Sequence, residues 1–233
     1  MNPVAHSRIG RRWARGLRRI RAWAVGGVAP TCAVALAALL ALSLSGAALA
    51  SSTEERELAR ATFAGGCFWC MEPPYDRLDG VIETISGFSG GHVSNPSYEQ
   101  VVRGGTGHLE VVQVIFDPEV VDYQRLLEVF WRNIDPYQAD GQFCDRGEMY
   151  RSAIFFHDDE QEHLARESLV NLKNNGPESG PIDTRILPFQ AFYAAEEYHQ
   201  GYYLKNPVRY RYYRWRCGRD QRLEQLWGEQ AGS

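Results

Sequence analysis

Residues 22–50 carry no charged side chain, and this stretch decides which part of the chain can form a folded domain. Seven arginines and no acidic residue lie before it, and it ends in Ala48-Leu49-Ala50, followed by Ser51. A basic segment, an apolar segment and a small-x-small motif are typical of an export signal that is cleaved at the motif. We therefore predict a signal peptide over residues 1–50. The alternative is an uncleaved anchor, because 29 uncharged residues can span a bilayer.

The remaining residues, 51–233, form an acidic segment that is long enough to bury a core. They contain 18 basic and 29 acidic side chains, although the whole chain has a net charge of only −4. General nucleic-acid binding requires a basic surface that releases counterions, so this balance argues against it. An export signal places the segment in an oxidising compartment, which is the periplasm if the host is bacterial. We therefore expect an exported protein that meets a membrane only through an uncleaved leader.

The hydrophobic pattern of residues 51–233 mixes strands with helices. Apolar and alternating segments predict strands over 59–64, 81–88, 108–116, 152–156 and 182–187. Helical spacing predicts helices after Cys67 and over 97–103, 122–133 and 158–174, with caps at Asp122 and at Asp158 or Asp159. Residues 189–204 are expected to be partly helical, and the tail from Asn206 to be flexible with a helical turn or two at 223–227. Because strands and helices do not alternate strictly, we predict the α+β class, as a single two-layer domain over 51–233 with a mixed sheet, flanking helices and long loops.

Four cysteines lie in this segment, at positions 67, 70, 144 and 217. In an exported chain they could form two structural disulfides. A four-cysteine zinc site normally uses two C-x-x-C pairs, and here there is only one. A c-type haem requires His at position 71, where this chain has Met. The close spacing of Cys67 and Cys70 therefore favours a redox site.

The segment around Gly66 and Cys67 predicts a strand, a glycine turn and the start of a helix. Free backbone N–H groups at a helix N-terminus favour the thiolate form of a cysteine, so we expect a reactive Cys67. Phe68 and Trp69 would form an apolar wall beside the sulfur, suited to a small methyl-bearing group.

Seven short motifs occur in a fixed order through the rest of the chain. They are Gly65-Gly66-Cys67-Phe68-Trp69, Ser86-Gly87-Phe88-Ser89-Gly90-Gly91, Asn95-Pro96-Ser97-Tyr98, Thr106-Gly107-His108-Leu109-Glu110-Val111-Val112, Asp145-Arg146-Gly147, Tyr150-Arg151-Ser152-Ala153-Ile154 and Glu197-Tyr198-His199-Gln200. In this order they resemble the peptide methionine sulfoxide reductase A family. The resemblance spans residues 61–227, nearly all of the segment after the leader.

The resemblance implies an enzyme that reduces methionine S-sulfoxide, free or in proteins, and so repairs oxidised proteins. It implies that Cys67 is the nucleophile and that Glu110 protonates the departing oxygen, which a carboxylic acid does near neutral pH only if burial raises its pKa. It also implies that Tyr98 and Tyr150 hydrogen-bond the oxygen and that Asp145 organises the site.

The two histidines in the motifs, His108 and His199, are interpreted as structural, because the proposed step already has its acid. No flavin, nicotinamide or metal is implied, since the chain has neither G-x-G-x-x-G nor a P-loop. The electrons would come from a dithiol protein, which is thioredoxin in the family. For an exported chain we expect a thioredoxin-like domain.

The cysteine that resolves the oxidised nucleophile stays open. The commoner family form often has Gly at position 70 and Asn at position 144, whereas this chain has cysteine at both. Cys217 lies in the tail and is the first choice, Cys70 is nearest in sequence, and Cys144 could relay the disulfide outward. The alternative functions are a C-x-x-C thiol–disulfide oxidoreductase, which would not need Glu110, and a binding module with two structural disulfides.

Overall fold

The computed structural model describes residues 57–233, so the predicted signal peptide over residues 1–50 lies outside the described residues. Its strands are β1 (Ala59–Gly65), β2 (Val81–Ser89), β3 (Leu109–Phe116), β4 (Gly141–Gln142), β5 (Asp145–Arg146), β6 (Ser152–Phe156), β7 (Arg185–Pro188) and β8 (Phe192–Ala194). Its α-helices are α1 (Phe68–Asp76), α2 (Tyr98–Arg103), α3 (Tyr123–Arg132), α4 (Asp159–Asn175), α5 (Tyr202–Lys205), α6 (Pro207–Arg216) and α7 (Arg219–Trp227). Within 57–233, none of the helices combines the length and the apolar character that a membrane span requires.

Six strands form one mixed sheet in the order β7-β6-β1-β3-β2-β8. β1 is antiparallel to both β3 and β6, β3 is antiparallel to β2, and β2 is antiparallel to β8. Only the β6–β7 pair in this sheet is parallel. The α+β class and the mixed sheet are therefore confirmed.

The main core lies on the face of the sheet that is covered by α1, α3 and α4. Its centre is Phe63 of β1, whose ring stacks on Tyr75 of α1 at 5.4 Å and on Phe130 of α3 at 5.3 Å. A smaller apolar cluster that includes Leu109 and Phe155 lies on the opposite face, under the segment that joins β7 to β8. Because both faces are covered, β3 is buried along almost its whole length.

Three helices begin at a capping side chain, and two of these caps, Asp122 and Asp158, are predicted from the sequence. The side chain of Ser97 accepts a hydrogen bond from the Gln100 N–H at 3.3 Å. Asp122 and Asp158 accept from the N–H groups three residues on, at 2.7 and 2.8 Å. These bonds satisfy backbone donors that the first helical turn leaves free, which explains why local sequence was sufficient to find them.

The C-terminal tail was predicted to be flexible, but it is helical. Pro207 opens α6 and the chain continues helical through α7, with the side chains of Leu223 and Leu226 buried. Residues 189–204 are partly helical, as predicted, because they contain a 3₁₀ turn and the first three residues of α5, but they also contain β8, which was not predicted. The tail was hard to predict because α6 is rich in Arg and Tyr, and its inward side chains pack on a site that is distant in sequence.

Candidate active site

Cys67 is placed by a glycine turn between β1 and α1. It is the N-cap of α1, as predicted, and it is buried, with 6% of its surface exposed. Gly66 has φ +83°, and a Cβ at this position would lie 2.5 Å from Cβ of Gln142. Only glycine fits both the backbone conformation and the space, which is the reason for its position before the cysteine.

Glu110 approaches the same turn from β3. Its side chain is 1% exposed, and its Oε2 accepts a hydrogen bond from the Phe68 N–H at 3.1 Å. Burial raises the pKa of Glu110 to about 8, although the bond from Phe68 lowers it and the charges of Asp145 and Cys70 raise it further. The carboxyl group is therefore mostly protonated at neutral pH and can donate a proton beside Cys67.

Aromatic side chains form a wall next to the sulfur. Phe68 is buried and half-buried Trp69 stacks on Tyr202 at 3.7 Å. The Trp69 Nε1–H donates to His199 Nδ1 at 3.0 Å, and the ring of His199 lies 5.0 Å from that of Phe68 and 4.3 Å from that of Tyr98. Since Nδ1 accepts and burial lowers the pKa of His199, this ring is neutral and orients the indole.

Tyr98 and Tyr150 bring two hydroxyl groups to the site and share a hydrogen bond. Burial raises the pKa of Tyr98 to about 12, and it raises that of Tyr150 further. The charges of Glu110 and Cys67 contribute to both shifts, so the two hydroxyls lie close to the acid and the sulfur. Both remain protonated donors at neutral pH.

Asp145 lies in the short strand β5 and is half-buried. Burial raises its pKa, while the hydroxyl of Tyr213, which donates to Oδ2, and the charge of Arg219 lower it. Asp145 thus joins the loop that holds Tyr150 to the C-terminal helices.

Cys144 and Cys217 form a disulfide with an S–S distance of 2.07 Å. Cys144 is exposed and Cys217 is half-buried, so this bond is accessible to an external thiol. Asp145 also lies close to both sulfurs, but two sulfurs that share a covalent bond are not thiolate ligands for a metal.

Cys67 and Cys70 are free and buried. Their sulfurs share a hydrogen bond, and Cys70 is 2% exposed. Burial raises the pKa of Cys67, contrary to the expected thiolate, because the loss of water outweighs the backbone N–H groups of the helix start. The pKa of Cys70 falls to about 6, mainly because Cys67 donates the shared hydrogen bond.

The structure therefore brings together Cys67, Cys70, Glu110, the two aromatic residues after Cys67, both tyrosines and Asp145, whereas Cys217 lies in the disulfide beside them. Three further residues were missed or undervalued. His199 lies in the last of the seven motifs but was interpreted as structural only. Tyr213 and Arg219 lie in none of the motifs, so no short stretch of sequence pointed to them. His108 is structural, because its ring nitrogens contact the Gly91 N–H and the Val93 carbonyl oxygen.

The site combines a soft sulfur nucleophile, a protonated carboxylic acid, two hydroxyl donors and an apolar wall. These groups suit attack on an electrophilic sulfur that carries an oxygen and a methyl group. The attacked oxygen would meet the acid and the hydroxyls, and the methyl group would meet the aromatic rings.

Known proteins share this sequence and fold. The family model described as peptide methionine sulfoxide reductase matches residues 59–231. Peptide methionine sulfoxide reductase MsrA of Bacillus licheniformis is 53% identical over 175 residues, which are 75% of this chain and 96% of that protein. The Bacillus subtilis protein of the same name is 49% identical and covers 76% of this chain and 98% of its own.

Two solved structures are also similar. Methionine sulfoxide reductase A of Corynebacterium diphtheriae has a TM-score of 0.61 at 33% identity, covering 65% of this chain and 76% of its own. Mxr1 from Saccharomyces cerevisiae in reduced form has a TM-score of 0.60 at 35% identity, covering 65% and 87%.

Proposed function

The chain belongs to the peptide methionine sulfoxide reductase A family and reduces methionine sulfoxide to methionine, and from this premise we propose which of its residues carry the reaction. The observation that supports the assignment is the contact between the turn and β3. Buried Glu110, whose pKa is about 8, is bonded to the N–H of the residue that follows Cys67. An acid and a sulfur nucleophile are thereby held side by side.

The first step joins two sulfurs. The Cys67 sulfur attacks the sulfoxide sulfur while Glu110 gives its proton to the sulfoxide oxygen and takes up the proton that the Cys67 thiol loses, and Tyr98 and Tyr150 hydrogen-bond that oxygen. The oxygen then passes to Cys67, methionine leaves, and Cys67 is a sulfenic acid. Asp145 supports the loop of Tyr150, and the rings of Phe68 and Trp69 hold the methyl group.

We also propose that the substrate is the S epimer, in proteins as well as free. The sulfoxide sulfur is stereogenic, and the site fixes its methyl group, its oxygen and the direction of attack. Only one epimer then leaves the remainder of the methionine pointing out of the site. The choice of S follows from the family resemblance.

Two cysteine pairs would complete the cycle. Cys70 shares a hydrogen bond with Cys67 and is free, so we propose that it condenses with the sulfenic acid, releasing water and forming the first disulfide. An external dithiol protein would reach the exposed bond between Cys144 and Cys217 and reduce it. The thiols of Cys144 and Cys217 would then reduce the inner disulfide. Direct resolution by Cys217 would require that its bond to Cys144 open first.

The dithiol protein would be thioredoxin-like, and the reaction would repair oxidised proteins outside the cytosol. The basic and apolar leader supports export, with the periplasm as the compartment in a bacterial host. A general thiol–disulfide oxidoreductase is not favoured, because it would leave buried Glu110 without a role and the relatives are named as sulfoxide reductases.

The test is a single turnover of the reduced protein with methionine S-sulfoxide, followed by a disulfide map. Cys67→Ser should abolish methionine release, because the hydroxyl cannot form the sulfur–sulfur bond. In the reduced Cys144→Ser variant, where Cys217 is a free thiol that cannot close a bond with Cys144, the map should show Cys67 joined to Cys70. A map with Cys67 joined to Cys217 instead would identify Cys217 as the resolving residue and reject our order of the pairs.

A further inference from the structure

The disulfide between Cys144 and Cys217 presents its two sulfurs differently to an external thiol. Cys144 is exposed and lies in the two-residue turn that joins β4 to β5. Cys217 is half-buried at the end of α6 and follows Tyr213 by four residues, so it lies on the side of the helix that packs inward. The rate of thiol–disulfide exchange depends on access to the sulfur that is attacked, and access favours Cys144.

The two sulfurs also differ in how well each can leave as a thiolate. The backbone N–H of Cys144 donates a hydrogen bond to Sγ of Cys217 at 3.2 Å, whereas within residues 57–233 no N–H or O–H group donates to Sγ of Cys144. A hydrogen bond to the charged form of a group favours that form. Because the donor belongs to the backbone of the β4–β5 turn, opening the S–S bond does not remove it. Cys217 is therefore the better leaving sulfur.

The carboxyl group of Asp145 lies beside both sulfurs. Its Oδ1 is 3.8 Å from Sγ of Cys144, and its Oδ2 is 4.0 Å from Sγ of Cys217. The Tyr213 hydroxyl donates to Oδ2 at 2.5 Å, so the charge on Oδ1 is the less screened of the two. Since like charges repel, the carboxylate opposes a thiolate on Cys144 more than a thiolate on Cys217.

Two further features lie next to Cys217. It is placed where α6 ends and α7 begins, and the dipoles of these two helix ends have opposite effects on a thiolate, so they offset each other. Cys217 also borders an open groove of about 470 Å³ that Phe143 and Arg222 help to line. An attack on Cys217 from this groove is the competing direction, but it would make Cys144 the leaving sulfur, without a donor and beside Oδ1 of Asp145.

We propose that the external dithiol protein forms its mixed disulfide with Cys144 and that Cys217 leaves as a thiolate held by the N–H of Cys144. Cys144 is then the residue through which electrons enter this chain, and the charge of Asp145 supports this direction of attack. The inference rests on the proposed function, in which a dithiol protein reduces the bond between Cys144 and Cys217.

The exchange balances in electrons and protons. The thiolate of the dithiol protein bonds to the sulfur of Cys144, the bond between Cys144 and Cys217 breaks, and Cys217 takes the electron pair. The second thiol of the dithiol protein gives its proton to the Cys217 thiolate and then attacks its own first sulfur. The mixed disulfide breaks, Cys144 leaves as a thiolate and takes a proton from water, and the dithiol protein keeps a disulfide. Two electrons have passed to this chain.

The first test traps the mixed disulfide in a Cys32→Ser, Cys67→Ser, Cys70→Ser chain, in which Cys144 and Cys217 are the two cysteines that remain of five. The probe is a bacterial thioredoxin whose second active-site cysteine is replaced by serine, so that the mixed disulfide is not released. After rapid alkylation with N-ethylmaleimide, peptide mapping should find thioredoxin on Cys144 in about tenfold or greater excess over Cys217, the size of effect that one hydrogen bond to a charged group supplies.

Equal amounts on the two cysteines, or an excess on Cys217, would overturn the proposal. If the triple variant does not fold, the same map on the unmodified oxidised chain decides between the two sulfurs, because Cys67 and Cys70 are buried and yield separate peptides.

The second test removes the charge beside the sulfurs. Asp145→Asn should lower the excess on Cys144 severalfold, because the amide no longer opposes a thiolate there. Asp140→Asn is the matched control and should leave the excess unchanged, since Asp140 is an exposed acid near the same turn whose charge is paired with Arg146. An unchanged excess in Asp145→Asn would reject the contribution of this carboxylate.

Two outcomes separate this inference from the proposed function. If the unmodified chain reduces the sulfoxide but thioredoxin is trapped on neither cysteine, the dithiol protein does not enter at this disulfide and the inference is rejected. If the unmodified chain does not reduce the sulfoxide, the proposed function is rejected, while the map still decides which sulfur a dithiol protein attacks.

Discussion

At the scale of single residues, the pKa of Glu110 shows how strongly its surroundings change a side chain. A carboxyl group with a pKa of about 8 is protonated where an exposed one is ionised. The cause is its position on β3, which is covered on both faces of the sheet. Burial is therefore the main reason that this carboxyl group holds its proton at neutral pH, as the proposed transfer to the sulfoxide oxygen requires.

We predict that Glu110→Gln slows the first turnover by ~10²–10⁴-fold, because the amide accepts the Phe68 bond but cannot donate a comparable proton. In the unmodified enzyme the rate of the reduction step should fall as pH rises through about 8, where the acid loses its proton. Stopped-flow measurement of methionine release from pH 5 to 10 checks both. If the reduction rate of Glu110→Gln falls over the same pH range as that of the unmodified enzyme, another group is the acid.

The same shift predicts a stability effect. The folded pKa of Glu110 lies above its unfolded value of 4.5, so folding favours the protonated form. Its contribution is present below the unfolded pKa and is lost as pH rises through about 8. Relative to the unmodified protein, Glu110→Gln should therefore increase the free energy of unfolding more at pH 8 than at pH 4. The difference between the two pH values should be at most about 5 kcal/mol. Urea unfolding at both pH values measures this, and a pH-independent difference would contradict it.

Among the structural elements, the turn between β1 and α1 is the most constrained. We predict that Gly66→Ala destabilises the fold by ~1–3 kcal/mol and lowers activity, because the backbone conformation and the contact with Gln142 both oppose a Cβ. Gly104→Ala is the matched control, since Gly104 has φ +86° but nothing within 4 Å of an added Cβ. Chemical denaturation compares the two, and an equal cost would mean that the contact with Gln142 contributes nothing.

The disulfide joins the β4–β5 hairpin region to the end of α6 across 73 residues. Cys144→Ser should lower the free energy of unfolding by about 4 kcal/mol, the loop-entropy value for this separation. Cys217→Ser should lower the free energy of unfolding by the same amount, and the double variant should lower it no further, because both changes break the same bond. Thermal unfolding with and without a reducing agent tests this, since reduction should remove the difference. Additive losses would imply separate roles for the two thiols.

For the molecule as a whole, the leader predicts the compartment in which the protein works. The motif Ala48-Leu49-Ala50 predicts that the mature protein begins at or near Ser51 outside the cytosol. N-terminal sequencing of the protein from its native host should return Ser51, because signal peptidase cuts after a small-x-small motif. Recovery of residues upstream of Ala22 would reject cleavage and favour the anchor.

Local features of this protein could be found from the sequence alone. A cap, a glycine turn and an alternating strand involve residues a few positions apart, so their chemistry is visible in a short window. Ser97, Asp122 and Asp158 begin helices as predicted, and Cys67 is the N-cap of α1. The order of the motifs was sufficient for the family.

Tertiary structure decided which cysteines pair and which charges face each other. Cys144 meets Cys217 across 73 residues, and Arg219 reaches Gly65 across 154. The pKa of Cys67 had the wrong predicted direction, because water loss depends on side chains from several distant segments. Such contacts depend on how the whole chain packs, and the free energy of a buried charge depends on every group around it. No short window of sequence contains that information.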